Sequence, residues 1–229
     1  MSSDPTAEWE VVRHPRARTL KLSLDPVTGR ARLTLPRRAA LKPALAWAQG
    51  KADWLADQRA RLPTPRPFVD GAVLTVAGDE LTIAWSAGPR RTVLREGDRL
   101  LAQGPAETLG RRVELWLRRE ALRVLSEETA AFAAKAGVTV AQVAVGDPRG
   151  RWGSCAGTGV IRYSWRLILA PGFVRRATVA HEVAHRVHMN HGPAFHALDR
   201  ELLGTDPAPA RAWLRSHGAG LHWFGRSSG

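Results

Sequence analysis

The chain has 229 residues, of which 44% are hydrophobic, and a formal net charge of +13. This length and composition predict a globular protein with one large or two small domains. The N-terminus lacks the apolar region of a secretion signal. The chain also contains no run of about 18 apolar residues, which a membrane span would need. The single cysteine, Cys155, excludes an internal disulfide. We therefore expect a cytoplasmic protein without a membrane partner.

The positive charge is compatible with a nucleotide or nucleic-acid partner. Basic residues are nevertheless scattered, in doublets at most, and arginines far outnumber lysines in an alanine-rich chain. This pattern is typical of coding bias. We keep a polyanionic partner as an alternative and not as the main expectation.

The N-terminal part predicts a β-hairpin followed by one helix. Residues 19–25 and 30–36 alternate apolar and polar side chains around a Pro-Val-Thr-Gly turn, as paired strands do. Residues 40–62 change to a helical period, with Trp47 and Trp54 beside a stripe of leucines and alanines. We expect both tryptophans in the core.

A proline-rich segment, residues 63–71, predicts a linker or crossing loop. A long helix is expected over residues 105–136, because a glycine follows it. We expect a β-rich N-terminal region with one helix, residues 1–104, and a metal-binding catalytic region, residues 105–229. Four short strands are predicted between the linker and the long helix: residues 73–78, 81–85, 91–96 and 99–103.

The catalytic region predicts two strands that lead into a helix. A polar loop, residues 146–159, separates the strands, and the helix ends near Asn190. We expect the second strand to hold an extended substrate at a sheet edge beside this helix. The predicted elements are strands 138–145 and 160–170, the helix 173–188, and two closing helices at 193–203 and 209–216.

The predicted helix carries the motif His-Glu-x-x-His. His181 and His185 are four residues apart on one helix face, so their rings can converge on one ion. Glu182 can reach a water on that ion without ligating it. Two ligands and a general base predict metal-activated hydrolysis, and Zn²⁺ is the expected ion.

The third ligand has three candidates. We favour His191, because a left-handed turn at Asn190 would end the helix and carry the chain back. Glu201 could ligate from the next helix instead. His188 lies about 10 Å along the helix axis from His181, which is too far to share one ion. A chance motif and a structural zinc site are the alternatives, but structural sites favour cysteine.

Several segments together closely resemble the YgjP-like metallopeptidase family. They are RWGSC (151–155), GVIRYSWRLILAP (159–171), HEVAHRVHMNH (181–191), GPAFHAL (192–198) and the N-terminal stretch 11–36. The resemblance implies an α+β, zincin-like fold with a sheet packed on the metal helix, related in style to the WLM and SprT-like groups. It also implies that His181, His185 and His191 bind the metal and that Glu182 is catalytic.

Residues 151–163 supply further candidates. Arg151 could bind a substrate carboxylate or phosphate, or stabilise charge in the transition state. Tyr163 could donate to an oxyanion if its side chain faces the site. We interpret Trp152 and Gly153 as structural, packing under the metal helix and allowing a tight turn. Cys155 is interpreted as a small buried hydrophobe. Three further histidines, His196, His217 and His222, are expected on the surface or behind the ligands.

The sequence predicts a zinc-dependent metallopeptidase that cleaves a peptide or protein amide bond with Glu182 as the base. One alternative is hydrolysis of a nucleotide phosphoanhydride, with arginines holding the phosphates. The other is a DNA-associated binding or processing protein, whose basic surface would recruit it to DNA.

Overall fold

The computed structural model describes residues 9–227. The chain divides into two compact units, Met1–Thr64 and Pro65–Gly229. This division falls in the proline-rich segment predicted as a linker or crossing loop, and not at the predicted boundary after residue 104. Over the described residues the fold is α+β, as predicted, with six α-helices and three small sheets. None of these helices combines the length and apolar character needed to cross a bilayer.

The first unit contains a three-stranded sheet and two short helices. The strands lie in the order β1-β3-β2. β2 and β3 form the predicted antiparallel hairpin, and the unpredicted β1 runs parallel to β3. The elements are β1 (Trp9–His14), β2 (Lys21–Leu24), β3 (Ala31–Pro36), α1 (Leu41–Gln49) and α2 (Ala52–Ala60).

The two helices correct the prediction of a single helix over residues 40–62. α1 ends at Gly50, whose N–H bonds to the carbonyl of Ala46. The tryptophans were predicted in the core, but Trp47 and Trp54 are 38% and 40% exposed. Small residues and one leucine fill the helix side of the core instead, so both indoles lie outside it. The buried residues are Trp9, Ala31, Leu33, Leu35, Ala44, Ala48 and Leu55.

The second unit begins with a four-stranded sheet in the order β4-β5-β7-β6. These strands correspond to the four predicted from the sequence. α3 (Leu109–Ala136) follows, and it ends as predicted at Gly137, which has the left-handed φ of 66°. The sheet and α3 share one core, which explains why a boundary at residue 104 would split it. The strands are β4 (Val73–Val76), β5 (Asp79–Ser86), β6 (Val93–Glu96) and β7 (Arg99–Gln103).

The third sheet positions the candidate site, and its order is β8-β10-β9. Its strands are β8 (Gln142–Gly146), β9 (Gly153–Cys155) and β10 (Val160–Ser164). β9 lies in the segment predicted as a loop, and it occupies the edge. β10 pairs on both sides, so the prediction that it offers a free edge to substrate is wrong. It also ends earlier than predicted, because residues 165–169 form a buried 3-10 helix.

Three helices complete the second unit. α4 ends before the predicted residue 188, and the two closing helices lie where the sequence places them, although the second is longer. The buried face of α4 includes Val174, Val179 and Val183. The bounds are α4 (Gly172–Ala184), α5 (Pro193–Leu203) and α6 (Ala208–Leu221).

Candidate metal centre

The last turn of α4 and the chain that follows it bring three histidines together. His181 lies in the final helical turn and His185 caps the helix. One ring nitrogen from each of His181, His185 and His191 lies within 4.8 Å of the others. The Nε2 atoms of His181 and His191 are 3.2 Å apart. Three imidazoles at these separations are a donor set that fits one metal ion.

The return of the chain to His191 differs from the expectation. Among the described residues, Ala77 is the one non-glycine residue with a positive φ, so the predicted left-handed turn at Asn190 is wrong. A bend replaces it, in which the N–H of Gly192 bonds to the carbonyl of Asn190 at 2.9 Å. α5 then begins with Pro193, whose fixed φ suits the first position of a helix.

Phe195 forms the floor of the histidine cluster. Its ring centroid lies 4.9, 4.6 and 4.7 Å from those of His181, His185 and His191. The Phe195 side chain is fully buried. The aromatic floor limits how the three rings can rotate, because interiors are close-packed.

The electrostatics favour the neutral form of His185 and His191, and a neutral imidazole is the form that binds a metal. Burial lowers the pKa of His185, and the neighbouring His181 and His191 lower it further. Burial also lowers the pKa of His191, aided by His181 and His196. Nδ1 of His185 lies 3.1 Å from the carbonyl oxygen of His188. Donation from Nδ1 to that oxygen leaves Nε2 of His185 free to ligate.

The two alternative ligands lie outside the cluster. Among the described residues, the group that could hold a metal contains neither His188 nor Glu201. His188 contributes its backbone carbonyl to His185. Glu201 is exposed on α5, and its carbonyl accepts a hydrogen bond from Lys135.

Asp199 is a buried carboxylate that the sequence reasoning missed. It is 1% exposed, and its Oδ2 faces Nδ1 of His181 at 3.6 Å and Nη1 of Arg211 at 3.9 Å. Neither oxygen has a hydrogen-bond partner among the described residues. Burying a carboxylate without hydrogen bonds costs stability, which indicates that Asp199 has a role in the site. An Asp199 that accepts from Nδ1 would direct Nε2 of His181 towards the other two rings. The sequence signal that could have found Asp199 is its four-residue spacing from Phe195, which places the two residues on one face of α5.

Glu182 is 5% exposed and lies against the edge strand β9. A Cβ on Gly153 would overlap the Glu182 side chain, so glycine is needed for this approach. Burial raises the pKa of Glu182 to about 7, against the lowering effect of His181 and Arg151. A carboxylate that exchanges a proton near neutral pH suits general-base catalysis.

A comparison with protein families identifies the chain. The family model described as YgjP-like, metallopeptidase domain, matches residues 18–217. The chain belongs to the YgjP-like family. The curated proteins and the solved structures contain no match to it. The family points to a metal-dependent hydrolase, and the three histidines of this YgjP-like chain could hold the metal.

Three other candidate residues of the YgjP-like domain, Arg151, Trp152 and Gly153, lie near Glu182. Arg151 is exposed, makes no hydrogen bond or ion pair with another described residue, and is near enough to lower the pKa of Glu182. Trp152 lies beside His181 and Glu182 in the wall of one cavity. Gly153 admits Glu182, a more specific role than the predicted tight turn.

Tyr163 and Cys155 do not face the site as reactive groups. Tyr163 is 1% exposed, and its hydroxyl lies 3.0 Å from that of Thr129. Burial raises its pKa. The interpretation of Tyr163 as an oxyanion donor therefore fails, because strand parity directs it into the core. Burial also raises the pKa of the Cys155 thiol, which makes that half-buried side chain a poor nucleophile.

His196, His217 and His222 also lie outside the three-histidine cluster. His196 is exposed, with its ring centroid 6.3 Å from that of His191. His217 is exposed and stacks on Trp213. His222 is buried, and its ring centroid lies 5.3 Å from that of Trp152.

Proposed function

We propose that the chain is a zinc-dependent peptidase in which His181, His185 and His191 hold the ion and Glu182 is the general base. The observation that carries the proposal is the buried Glu182 carboxylate next to a cluster of three imidazoles. Such a donor set is typical of catalytic zinc, which keeps a position open for water or substrate. Cys155 lies outside the cluster, and a ligand set without cysteine argues against a structural zinc site.

Zinc held by His181, His185 and His191 would supply polarisation of the substrate carbonyl and a water acidic enough to react near pH 7. Glu182 accepts the proton of the attacking water and delivers it to the leaving amine. Asp199, whose Oδ2 lies 3.6 Å from Nδ1 of His181, would orient that ring by accepting from Nδ1. The carbonyl of His188, 3.1 Å from Nδ1 of His185, does the same for His185. Arg151 offers a guanidinium to a carboxylate or carbonyl oxygen of the substrate.

The test compares the parent with Glu182→Gln after loading with zinc. We expect both proteins to bind one zinc per chain, because Glu182 is not a ligand. The variant should cleave a fluorogenic peptide about 100-fold more slowly or worse, the effect of removing a general base. Dialysis against a chelator should abolish cleavage by the parent, and added zinc should restore it. Equal rates for parent and Glu182→Gln would overturn the assigned base.

A second candidate is hydrolysis of a nucleotide phosphoanhydride. The observation that favours it is that two exposed guanidiniums adjoin the site: Arg151 lowers the pKa of Glu182, and Arg211 lies 3.9 Å from Asp199. Arginines bind phosphate through two parallel hydrogen bonds. Release of phosphate or pyrophosphate from nucleoside triphosphates by the parent, lost in Glu182→Gln, would establish this activity. A protein that cleaves peptides and leaves all four triphosphates intact would exclude it.

A further inference from the structure

A cavity of about 210 Å³ adjoins the candidate centre. Residues of α4, α5 and α6 line it together with Trp152 and Gly153, and the side chains of His181 and Glu182 form part of its wall. His185 and His191 do not line it. A group bound in the cavity would therefore lie directly beside the base and one proposed metal ligand. Thr178 of α4 and Leu214 of α6 also line it.

The size of the cavity suits one side chain. A cavity of about 150 Å³ lined by apolar groups accepts benzene, so the volume of about 210 Å³ accommodates a leucine, phenylalanine or similar group. Pockets for larger, drug-sized ligands run from about 300 to 1,000 Å³. A complete nucleotide would not fit inside.

The walls of the cavity select against charge. Trp152, Ala177, Ala210 and Leu214 present apolar groups to the cavity. An apolar side chain gains from leaving water there, whereas a charged one loses hydration over most of its surface. Asp199 and Arg211 are the charged residues of the wall beside Glu182, but they face each other at 3.9 Å. A substrate cation would have to displace Arg211 from Asp199.

The Trp152 wall is held in place from behind. A Cβ on Gly218 of α6 would lie 2.8 Å from the Trp152 ring, so the glycine allows the indole to lie directly on α6. His222 packs against the same indole, with ring centroids 5.3 Å apart. A wall supported from two directions keeps its shape when a ligand binds, and such preorganisation increases selectivity.

We infer that this cavity is a specificity pocket that takes an uncharged apolar side chain, of leucine to phenylalanine size, from a residue flanking the scissile bond. The inference rests on the proposed peptidase function, since it places that bond beside Glu182. It goes further in naming the substrate class: peptides with a large apolar residue at the cleavage point.

The main experiment uses two series of fluorogenic peptides with the zinc-loaded full chain. One series varies the residue before the scissile bond and the other varies the residue after it, with glycine, leucine, phenylalanine, aspartate and lysine in turn. In one series we expect kcat/KM for leucine and phenylalanine to exceed that for glycine, aspartate and lysine at least tenfold, since even one methylene in an apolar pocket is worth about 10-fold or more. No preference in either series would overturn the inference.

Two variants change the volume of the pocket. Leu214→Ala enlarges it and should raise the phenylalanine-to-leucine ratio of kcat/KM about tenfold. Thr178→Leu fills it and should reduce cleavage of the phenylalanine peptide relative to the glycine peptide by a similar factor. Leu203→Ala is the matched control, because Leu203 is also a half-buried helical leucine but does not line this cavity. Its ratios should equal those of the parent, and a shift as large as that of Leu214→Ala would overturn the assignment.

A binding measurement separates this inference from the proposed function. Calorimetry with amino-acid hydroxamates, which chelate zinc, should give a Kd about tenfold lower for leucine hydroxamate than for glycine hydroxamate, and Thr178→Leu should remove the difference. If no peptide is cleaved but this preference holds, the peptidase proposal fails and the pocket stands. If peptides are cleaved but neither the peptide series nor the hydroxamates discriminate, the pocket assignment fails and the peptidase proposal stands.

Discussion

Gly153→Ala provides a sharp test of how the edge strand β9 positions Glu182. A Cβ at this position would overlap Oε1 of Glu182 and lie 2.6 and 2.8 Å from its Cγ and Cδ. Ordinary carbon contacts are about 3.5 to 4.0 Å, so the side chain must move by about 1 Å. A displacement of that size at a catalytic group costs about 100-fold in rate. The buried site has little spare room, and overpacking of this kind costs about 1 to 3 kcal/mol of stability.

The assay measures kcat/KM, zinc stoichiometry and urea unfolding of the same preparations. We expect Gly153→Ala to keep its zinc, since no histidine is touched, while losing activity and some stability. Gly157→Ala is the matched control, because a Cβ on Gly157 meets nothing within 4 Å. In a Glu182→Ala background the stability cost of Gly153→Ala should largely vanish, since coupled neighbours are non-additive. Parent-like activity and stability in Gly153→Ala would refute the steric argument.

Three further predictions concern the metal shell. Asp199→Asn should weaken zinc binding about 10- to 100-fold in a competition titration, and unchanged zinc affinity would show that Asp199 does not orient His181. The metal-free variant should unfold at no lower urea concentration than the parent, because a buried carboxylate that lacks hydrogen bonds is removed. His191→Ala should lose stoichiometric zinc after dialysis against a weak chelator, whereas Glu201→Ala should keep it; the reverse pattern would replace the third histidine by the glutamate. Phe195→Ala should lower the free energy of unfolding by about 3 to 5 kcal/mol and loosen zinc binding, and calorimetric unfolding with zinc titration checks both.

Features encoded over short stretches of sequence could be predicted well. The hairpin at residues 19–36, the four strands before α3 and the glycine stop at Gly137 all depend on local alternation or turn chemistry. The proximity of His181 and His185 follows from helical spacing alone. These features need no knowledge of what the segment packs against.

Features that depend on tertiary packing were missed. β9 has three residues, too few for a recognisable alternation, and it exists as an edge partner of β10. Trp47 and Trp54 were assigned to the core from the helical stripe, but Gly50 interrupts the helix and smaller residues face the sheet. The side-chain direction of Tyr163 depended on strand parity, which the sequence left open.

The early end of α4 is part of the site, which is why helical spacing alone described it incompletely. In a continuous helix the carbonyl of His188 would point towards the C-terminus, away from His185. Because α4 stops at Ala184, that carbonyl instead lies 3.1 Å from Nδ1 of His185. The same unwinding lets the chain bend back and begin α5, whose buried face supplies Phe195 and Asp199 beneath the rings. The motif thus specifies the ring atoms that can meet, and the helix end with α5 specifies the orientation in which they are held.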